Sequence, residues 1–253
     1  MLPKMDHQVF KTLEGFENSK ITIVEWETPL LRRLGYPLAS KSDLIFMVPD
    51  NQIQDANDIA TRNGLKLAGD DELPISYLVE FAKQGFRYVY GEPKSKFILL
   101  PLSWSGIEQD ELSTITTDIS LPCTIWTVPM PAFCAASLRI IMQEECGSRV
   151  RGMAVADLAN VIAYRMFDMS YEGSYLQNPE DDVDDEAVGF QKDEDAAVLA
   201  DKEASDMKNA VDNIRGWEFK KDGDWNRNTL IQLVTGKQRY DDLPSREPRH
   251  KKA

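Results

Sequence analysis

The stretch ITIVEWETPLLRRLGYPLASKSDLIFMVPD, residues 21–50, decides the fold that this chain is expected to adopt. Its first four residues are β-branched or apolar and predict a buried strand. Thr28 followed by Pro29 predicts a helix start, with Thr28 as the capping residue. Three leucines follow, and Gly35 lies where helices commonly end. Residues 43–48 predict a second strand, so the stretch reads as strand, short helix and strand.

The surrounding pattern extends this prediction in both directions. Val9, Leu13 and Phe16 have helical spacing, which predicts an amphipathic helix over residues 5–16. Residues 75–82 predict another helix, and apolar runs at 86–90 and 97–102 predict two further strands. We therefore expect a mixed α/β fold with helices flanking the sheet.

This order of elements resembles the nucleotidyltransferase fold, in particular the minimal and antibiotic-modifying type and its many fungal relatives. Residues 30–35, LLRRLG, are similar to the family's A-L-x-x-Y-G helix, and Asp43 begins the stretch where the family has Asp-x-Asp. The resemblance covers roughly residues 5–130. It implies a nucleotidyltransferase-like mixed sheet, an Mg²⁺ and nucleoside triphosphate site, and Asp43 as the catalytic carboxylate.

The chain departs from the family where the phosphate loop is expected. The family's paired glycines let backbone amides approach a triphosphate at a helix N-terminus. Trp26 and Glu27 stand at those two places, ahead of Thr28. The indole would fill the approach, and a carboxylate about 4 Å from a phosphate would cost on the order of 1–4 kcal/mol. Trp26, Glu27 and Thr28 therefore mark a degenerate phosphate-binding position.

The expected metal ligands are also incomplete. Residues two apart on a strand share a face, so Asp-x-Asp presents two carboxylates together to Mg²⁺. Ile45 replaces the second of them, and residues 96–101, KFILLP, contain no third carboxylate. The leading hypothesis is a catalytically degenerate nucleotidyltransferase-like protein that serves as a binding or regulatory module with a protein partner, and it assigns no metal or cofactor.

Two alternatives stay open. In the first, the protein is an active Mg²⁺-dependent nucleotidyltransferase, in which Asp43 is joined by Asp50, Glu92 or Asp118 as relocated ligands. In the second, residues 180–195 dock a basic protein, because this segment is strongly acidic.

Three regions are expected: an α/β core over residues 1–130, a helical extension over 131–240 with an acidic loop at 178–195, and a disordered basic tail over 241–253. The extension is indicated by apolar residues at helical spacing in 131–145, 150–166 and 196–217.

Residues 103–106, SWSG, lack the glycine of a nucleophile elbow. Residues 222–233 lack the glycine and final glutamate of a calcium loop, so a polar turn is expected at 222–228.

Composition limits the remaining function classes. The net charge of -13 disfavours a general nucleic-acid-binding surface, which needs clustered Lys and Arg. Three cysteines without a paired motif, together with two histidines at 7 and 250, disfavour a zinc site and indicate a reducing compartment, the cytoplasm or the nucleus. No stretch approaches the roughly 20 apolar residues of a membrane helix, and the N-terminus lacks a signal-peptide pattern.

Overall fold

The computed structural model describes residues 6–39, 43–69, 85–92, 94–115, 121–167 and 191–246, with backbone only for 191–201. Within these ranges the chain forms seven helices and seven strands. The helices are α1 His7–Asn18, α2 Thr28–Arg33, α3 Ile53–Arg62, α4 Met130–Gln143, α5 Arg149–Met166, α6 Gln191–Arg215 and α7 Gly223–Val234. The strands are β1 Ile23–Glu25, β2 Leu44–Val48, β3 Lys66–Leu67, β4 Phe86–Tyr90, β5 Ser95–Pro101, β6 Ser113–Ile115 and β7 Ile125–Thr127.

All seven strands belong to one mixed sheet in the order β3-β4-β5-β2-β1-β7-β6. The pairs β2/β5 and β1/β7 are parallel, and the other neighbours are antiparallel. The expected fold class, a mixed α/β fold with helices flanking the sheet, is confirmed. The longest parallel ladder joins β2 to β5 from Leu44 opposite Phe97 to Val48 opposite Pro101.

One face of the sheet packs on α1 and α3. Because side chains alternate along a strand, Phe46 and Val48 of β2 point to this face, whereas Ile45 and Met47 point to the other. The cluster on the α1 and α3 face consists of Val9, Leu13, Phe16, Ile21, Ile23, Phe46, Val48, Ala56, Ile59, Ala60, Leu65, Tyr88, Phe97, Leu99 and Ile125. The Tyr88 hydroxyl donates to Asn57 Oδ1 at 2.8 Å, so this buried phenol is hydrogen-bonded.

Helix α4 contacts the opposite face of the sheet. Its Phe133 is buried, and the ring lies 6.1 Å from the Trp26 ring at the end of β1. The Arg139 guanidinium of the same helix donates to the carbonyl of Gly106 at 2.7 Å, which joins α4 to the loop after β5. The sheet is therefore packed on both faces.

The predicted helices at 5–16, 131–145 and 150–166 are confirmed, as are the strands of the 21–50 stretch. The expectation that Thr28 caps α2 is wrong: Thr28 is the first helical residue, and Glu27 occupies the capping position without a side-chain hydrogen bond to the helix. The polar turn expected at 222–228 is also wrong beyond Asp222, because α7 begins at Gly223. The helix predicted over 75–82 lies outside the described residues.

The chain divides into two units, residues 1–155 with 244–253 and residues 156–243. In the first unit, the buried Arg151 donates to the carbonyls of Ile141 and Pro244, and Arg246 pairs with Glu145 at 3.1 Å. These contacts attach the segment after Pro244 to the first unit.

The second unit contains most of α5 and all of α6 and α7. Ala210 and Ile214 of α6 are buried, as are Leu230 and Leu233 of α7, which gives each helix an apolar side. The Arg227 guanidinium donates to the carbonyl of Trp217 at 2.9 Å. This bond links the start of α7 to the residues that follow α6.

Gly85 precedes β4 in a conformation that only glycine tolerates there. Its φ is +117°, and a Cβ atom at this position would lie 2.0 Å from the carbonyl oxygen of Leu99 on β5. The residue directly before β4 must therefore lack a side chain if β4 is to pair with β5.

We expect Gly85→Ala to lower the free energy of unfolding by at least about 3 kcal/mol, because backbone strain and a backbone clash add. Gly147→Ala is the matched control, since its φ is +79° but nothing lies within 4 Å of the added Cβ. Its cost should be about 1 kcal/mol from strain alone. Urea unfolding measures both changes, and equal losses would contradict the close approach at Gly85.

Candidate functional site

The residues expected to mark a degenerate phosphate-binding position lie where β1 ends and β2 begins. These strands are antiparallel, with Val24 opposite Met47, and the Trp26 amide donates to the Ile45 carbonyl at 3.1 Å. The tertiary structure therefore brings the Trp26–Thr28 turn to the same end of the sheet as Asp43.

Trp26 is part of the interior of the protein. The side chain is buried, and its ring packs edge-on against Trp104 at 5.9 Å as well as against Phe133 of α4. Such aromatic contacts stabilise the fold beyond the burial of area. The space beside the turn is consequently filled by three aromatic rings.

Glu27 holds a strained backbone conformation, with φ 53° and ψ -129°. Residues with side chains rarely adopt this region, whereas glycine adopts it freely. The turn into α2 thus has a shape that suits glycine, although glutamate occupies it. Helix α2 has six residues and begins directly at Thr28, which is buried.

Asp43 is bound by β5. Its Oδ1 accepts the Lys96 amide at 2.9 Å, and its Oδ2 lies 3.2 Å from the Lys96 ammonium. The two side chains are only about a fifth exposed, at 21% and 18%. Ile45, two residues along β2, is buried and contributes no oxygen. Asp43 therefore ties the beginning of β2 to β5 through both carboxylate oxygens.

The phenol of Tyr90 lies near Asp43. Burial raises the pKa of Tyr90 to about 12, and the negative charges of Asp43 and Asp6 add to this shift, while a hydrogen bond with Ser95 opposes it. Tyr90 therefore remains protonated at neutral pH.

Two of the three residues proposed as relocated ligands lie within the described residues. Asp50 follows the far end of β2, and the five-residue strand between it and Asp43 is roughly 17 Å long. Glu92 lies in the turn between β4 and β5, beside the end of β5 at which Lys96 pairs with Asp43. Asp118 lies outside the described residues, as do residues 180–190 of the acidic segment. Among the residues that the structure describes, no three His, Cys, Asp or Glu side chains form a group that could hold a metal ion.

A buried charge cluster beside this turn was missed by sequence analysis. The Glu25 carboxylate, whose side chain is 4% exposed, accepts bonds from Arg33 Nε at 2.5 Å and Nη2 at 3.2 Å. It also accepts a bond from the Thr127 hydroxyl at 2.6 Å. The sequence signal for this cluster is Glu25 itself, a glutamate inside an apolar strand, because a buried carboxylate requires hydrogen-bonding or charged partners. The cluster joins β1, α2 and β7.

A second site lies at the other end of the sheet, outside the carboxyl ends of β2 and β5. The chain leaves β2 towards α3 on one face, and it leaves β5 through the turn Leu102–Trp104, whose Trp104 contacts Trp26 on the other face. When the connections of adjacent parallel strands leave towards opposite faces, a crevice opens between them, and ligands of open α/β sheets bind in such crevices.

This strand-end crevice has a volume of about 540 Å³, which falls within the usual range for small-molecule sites. Asp50 and Ser103 connect the two diverging segments: the Ser103 amide and hydroxyl donate to the Asp50 carboxylate at 3.0 and 2.5 Å. The crevice is lined by Ile53, Gly85, Phe86, Pro101, Ser103, Trp104 and Gln143.

Ser105, Cys123 and Cys134 are poorly suited to act as nucleophiles. The Ser105 hydroxyl is buried and donates to the Leu102 carbonyl at 2.9 Å, so the 103–106 motif serves the turn itself. Burial raises the pKa of the Cys123 thiol to about 12, with a further contribution from Glu17, and burial also raises the pKa of Cys134. Thiols with raised pKa values are poor nucleophiles at neutral pH.

No family model, no curated protein and no solved structure matches this chain. In the part of the chain that the structure describes, no helix combines the length and the apolar character needed to cross a membrane.

Replacing Glu27 tests the strain in the turn before α2. We expect Glu27→Gly to be more stable than Glu27→Ala by about 1–2 kcal/mol, because both remove the carboxylate but only glycine relaxes at this φ and ψ. Thermal and urea unfolding of the two variants give the difference. An alanine variant as stable as the glycine variant would contradict a strained turn.

Replacing Arg33 tests the buried charge cluster. Arg33→Ala should lower the free energy of unfolding by about 2 kcal/mol, since the buried Glu25 carboxylate would lose its ion pair to an arginine that is itself 40% exposed. The adjacent Arg32→Ala is the control, because Arg32 is also exposed but takes no part in the ion pair with Glu25, and it should change stability by less than about 0.5 kcal/mol. Adding Glu25→Gln to Arg33→Ala should recover part of the loss, and no recovery would indicate that Arg33 acts independently of Glu25.

Proposed function

We propose that this protein is a catalytically degenerate nucleotidyltransferase-like protein that acts as a binding or regulatory module. The proposal combines the resemblance of the 21–50 stretch with the internal contacts at its end of the sheet. In this view the scaffold positions a binding surface, and no nucleotide is transferred.

The pairing of Asp43 with Lys96 is the observation that carries the proposal. The resemblance would place a third carboxylate on β5, and β5 instead supplies an ammonium 3.2 Å from Asp43. A divalent cation at this carboxylate would lie within about 4 Å of the ammonium, which costs roughly 2–8 kcal/mol depending on screening by water. The carboxylate is already neutralised by a cation that belongs to the protein.

The position of Trp26 supports the same conclusion for the phosphate groups. A triphosphate would have to approach the turn through the volume held by the rings of Trp26, Trp104 and Phe133. Removing Trp26 from these contacts would expose a large apolar surface and cost several kcal/mol of stability. The nearby Glu27 carboxylate adds electrostatic repulsion.

The strand-end crevice gives this module a place to bind. It lies at the opposite end of β2 from Asp43, so binding there needs neither the metal position nor the phosphate turn. Its geometry follows from the parallel pairing of β2 and β5, and its volume suits a small ligand or one side chain of a protein partner.

Calorimetry with ATP and Mg²⁺ tests the proposal. We expect no heat of binding at 100 µM protein, because the metal position is neutralised and the phosphate turn is blocked. Asp43→Asn should lower the free energy of unfolding by about 1 kcal/mol through its lost ion pair. The exposed Asp55→Asn is the control and should change it less.

Micromolar, Mg²⁺-dependent binding of ATP would overturn the proposal. Transfer of labelled nucleotide that Asp43→Asn abolishes, with the fold intact by circular dichroism, would favour an active nucleotidyltransferase instead.

A further inference from the structure

The walls of the strand-end crevice restrict the chemistry of a ligand. The described residues that line it include no Lys, Arg or His. The carboxylate beside it belongs to Asp50, which accepts two hydrogen bonds from Ser103. An anionic ligand would be repelled by this carboxylate and would lose its hydration on entry. The crevice favours an uncharged ligand.

The apolar part of the lining favours a flat ring. Trp104 and Phe86 are aromatic, and Pro101 and Ile53 add apolar surface. The Trp104 ring is supported by its edge-on contact with Trp26, which is buried. A rigid aromatic wall binds a planar ligand at little cost in side-chain entropy. Aliphatic chains would gain less from such a wall because they cannot stack.

The polar part of the lining favours a ligand edge with both a donor and an acceptor. The Gln143 side chain, at the end of α4, carries an amide that can donate and accept. The Ser103 hydroxyl donates to Asp50 and retains acceptor capacity. A ring that carries a lactam-like N–H and C=O matches these groups.

From these three features we propose that the strand-end crevice binds an uncharged, flat heteroaromatic ring system with an adjacent donor and acceptor. This inference rests on the proposed function, since it assigns a ligand class to the crevice of the binding module. The ring system stacks against Trp104 and hydrogen-bonds to Gln143. A free metabolite or a drug-like molecule with this chemistry would satisfy the site.

Three probes separate the features of the ligand. Quinazolin-4(3H)-one is flat, uncharged and carries a lactam edge; quinoline-4-carboxylate keeps two rings but is anionic; cyclohexanecarboxamide keeps the amide without an aromatic ring. Ligand-observed NMR and tryptophan fluorescence of the full chain measure their affinities. We expect the quinazolinone to bind with a dissociation constant of about 1 mM or below. The other two probes should bind at least tenfold more weakly.

Variants of Gln143 locate the binding, because this exposed residue can change without disturbing the core. Gln143→Ala should weaken quinazolinone binding about fivefold to tenfold. Gln143→Lys should strengthen quinoline-4-carboxylate binding at least fivefold, since it places a cation at the crevice. The exposed Gln109→Ala, outside the lining, is the control and should change neither affinity.

Trp104 variants test the stacking wall. Trp104→Phe should retain binding within about threefold, whereas Trp104→Leu should abolish it, and melting curves of both show whether the fold persists. Absence of quinazolinone binding to the wild type, or affinities that no Gln143 variant changes, would overturn the inference. Those results would not change the outcome of the ATP titration. Mg²⁺-dependent ATP binding would overturn the proposed function without changing the affinities measured for the three probes.

Discussion

The parallel pairing of β2 with β5 is the constraint on which both sites depend. It sets Leu44 opposite Phe97 and, one residue earlier, places Asp43 beside Lys96. At the other end it places Val48 opposite Pro101. The segments that follow β2 and β5 leave the sheet there in different directions, and the crevice opens between them. One ladder therefore neutralises a carboxylate at one end and creates a binding volume at the other.

Two acidic side chains at the central strands are paired with basic ones. Asp43, which directly precedes β2, and Glu25 of β1 each meet a basic side chain brought from another element. Asp43 meets Lys96 across the ladder, and Glu25 meets Arg33 from the helix that follows its own strand. A buried carboxylate without these partners would cost several kcal/mol. These acids are accordingly structural ties in the present fold.

Much of the fold was predictable because its signals are local. Helix α1 and the two strands of the 21–50 stretch follow from spacing and β-branching, which depend on neighbours a few residues away. Two predictions were wrong, and both errors also concern local conformation. The role of Thr28 depended on the exact φ and ψ of Glu27, and the start of α7 at Gly223 was hidden by polar residues that resemble a turn.

The sequence by itself determined the mixed α/β character and the positions of Trp26, Glu27 and Ile45 in the 21–50 stretch. Tertiary structure decided which groups meet: Lys96 with Asp43, Arg33 and Thr127 with Glu25, and Trp104 with Trp26. Local spacing cannot encode these contacts, because they join residues brought together by strand order and register. The crevice is the clearest case, since its described walls come from four separate stretches of the chain that meet at the end of the sheet.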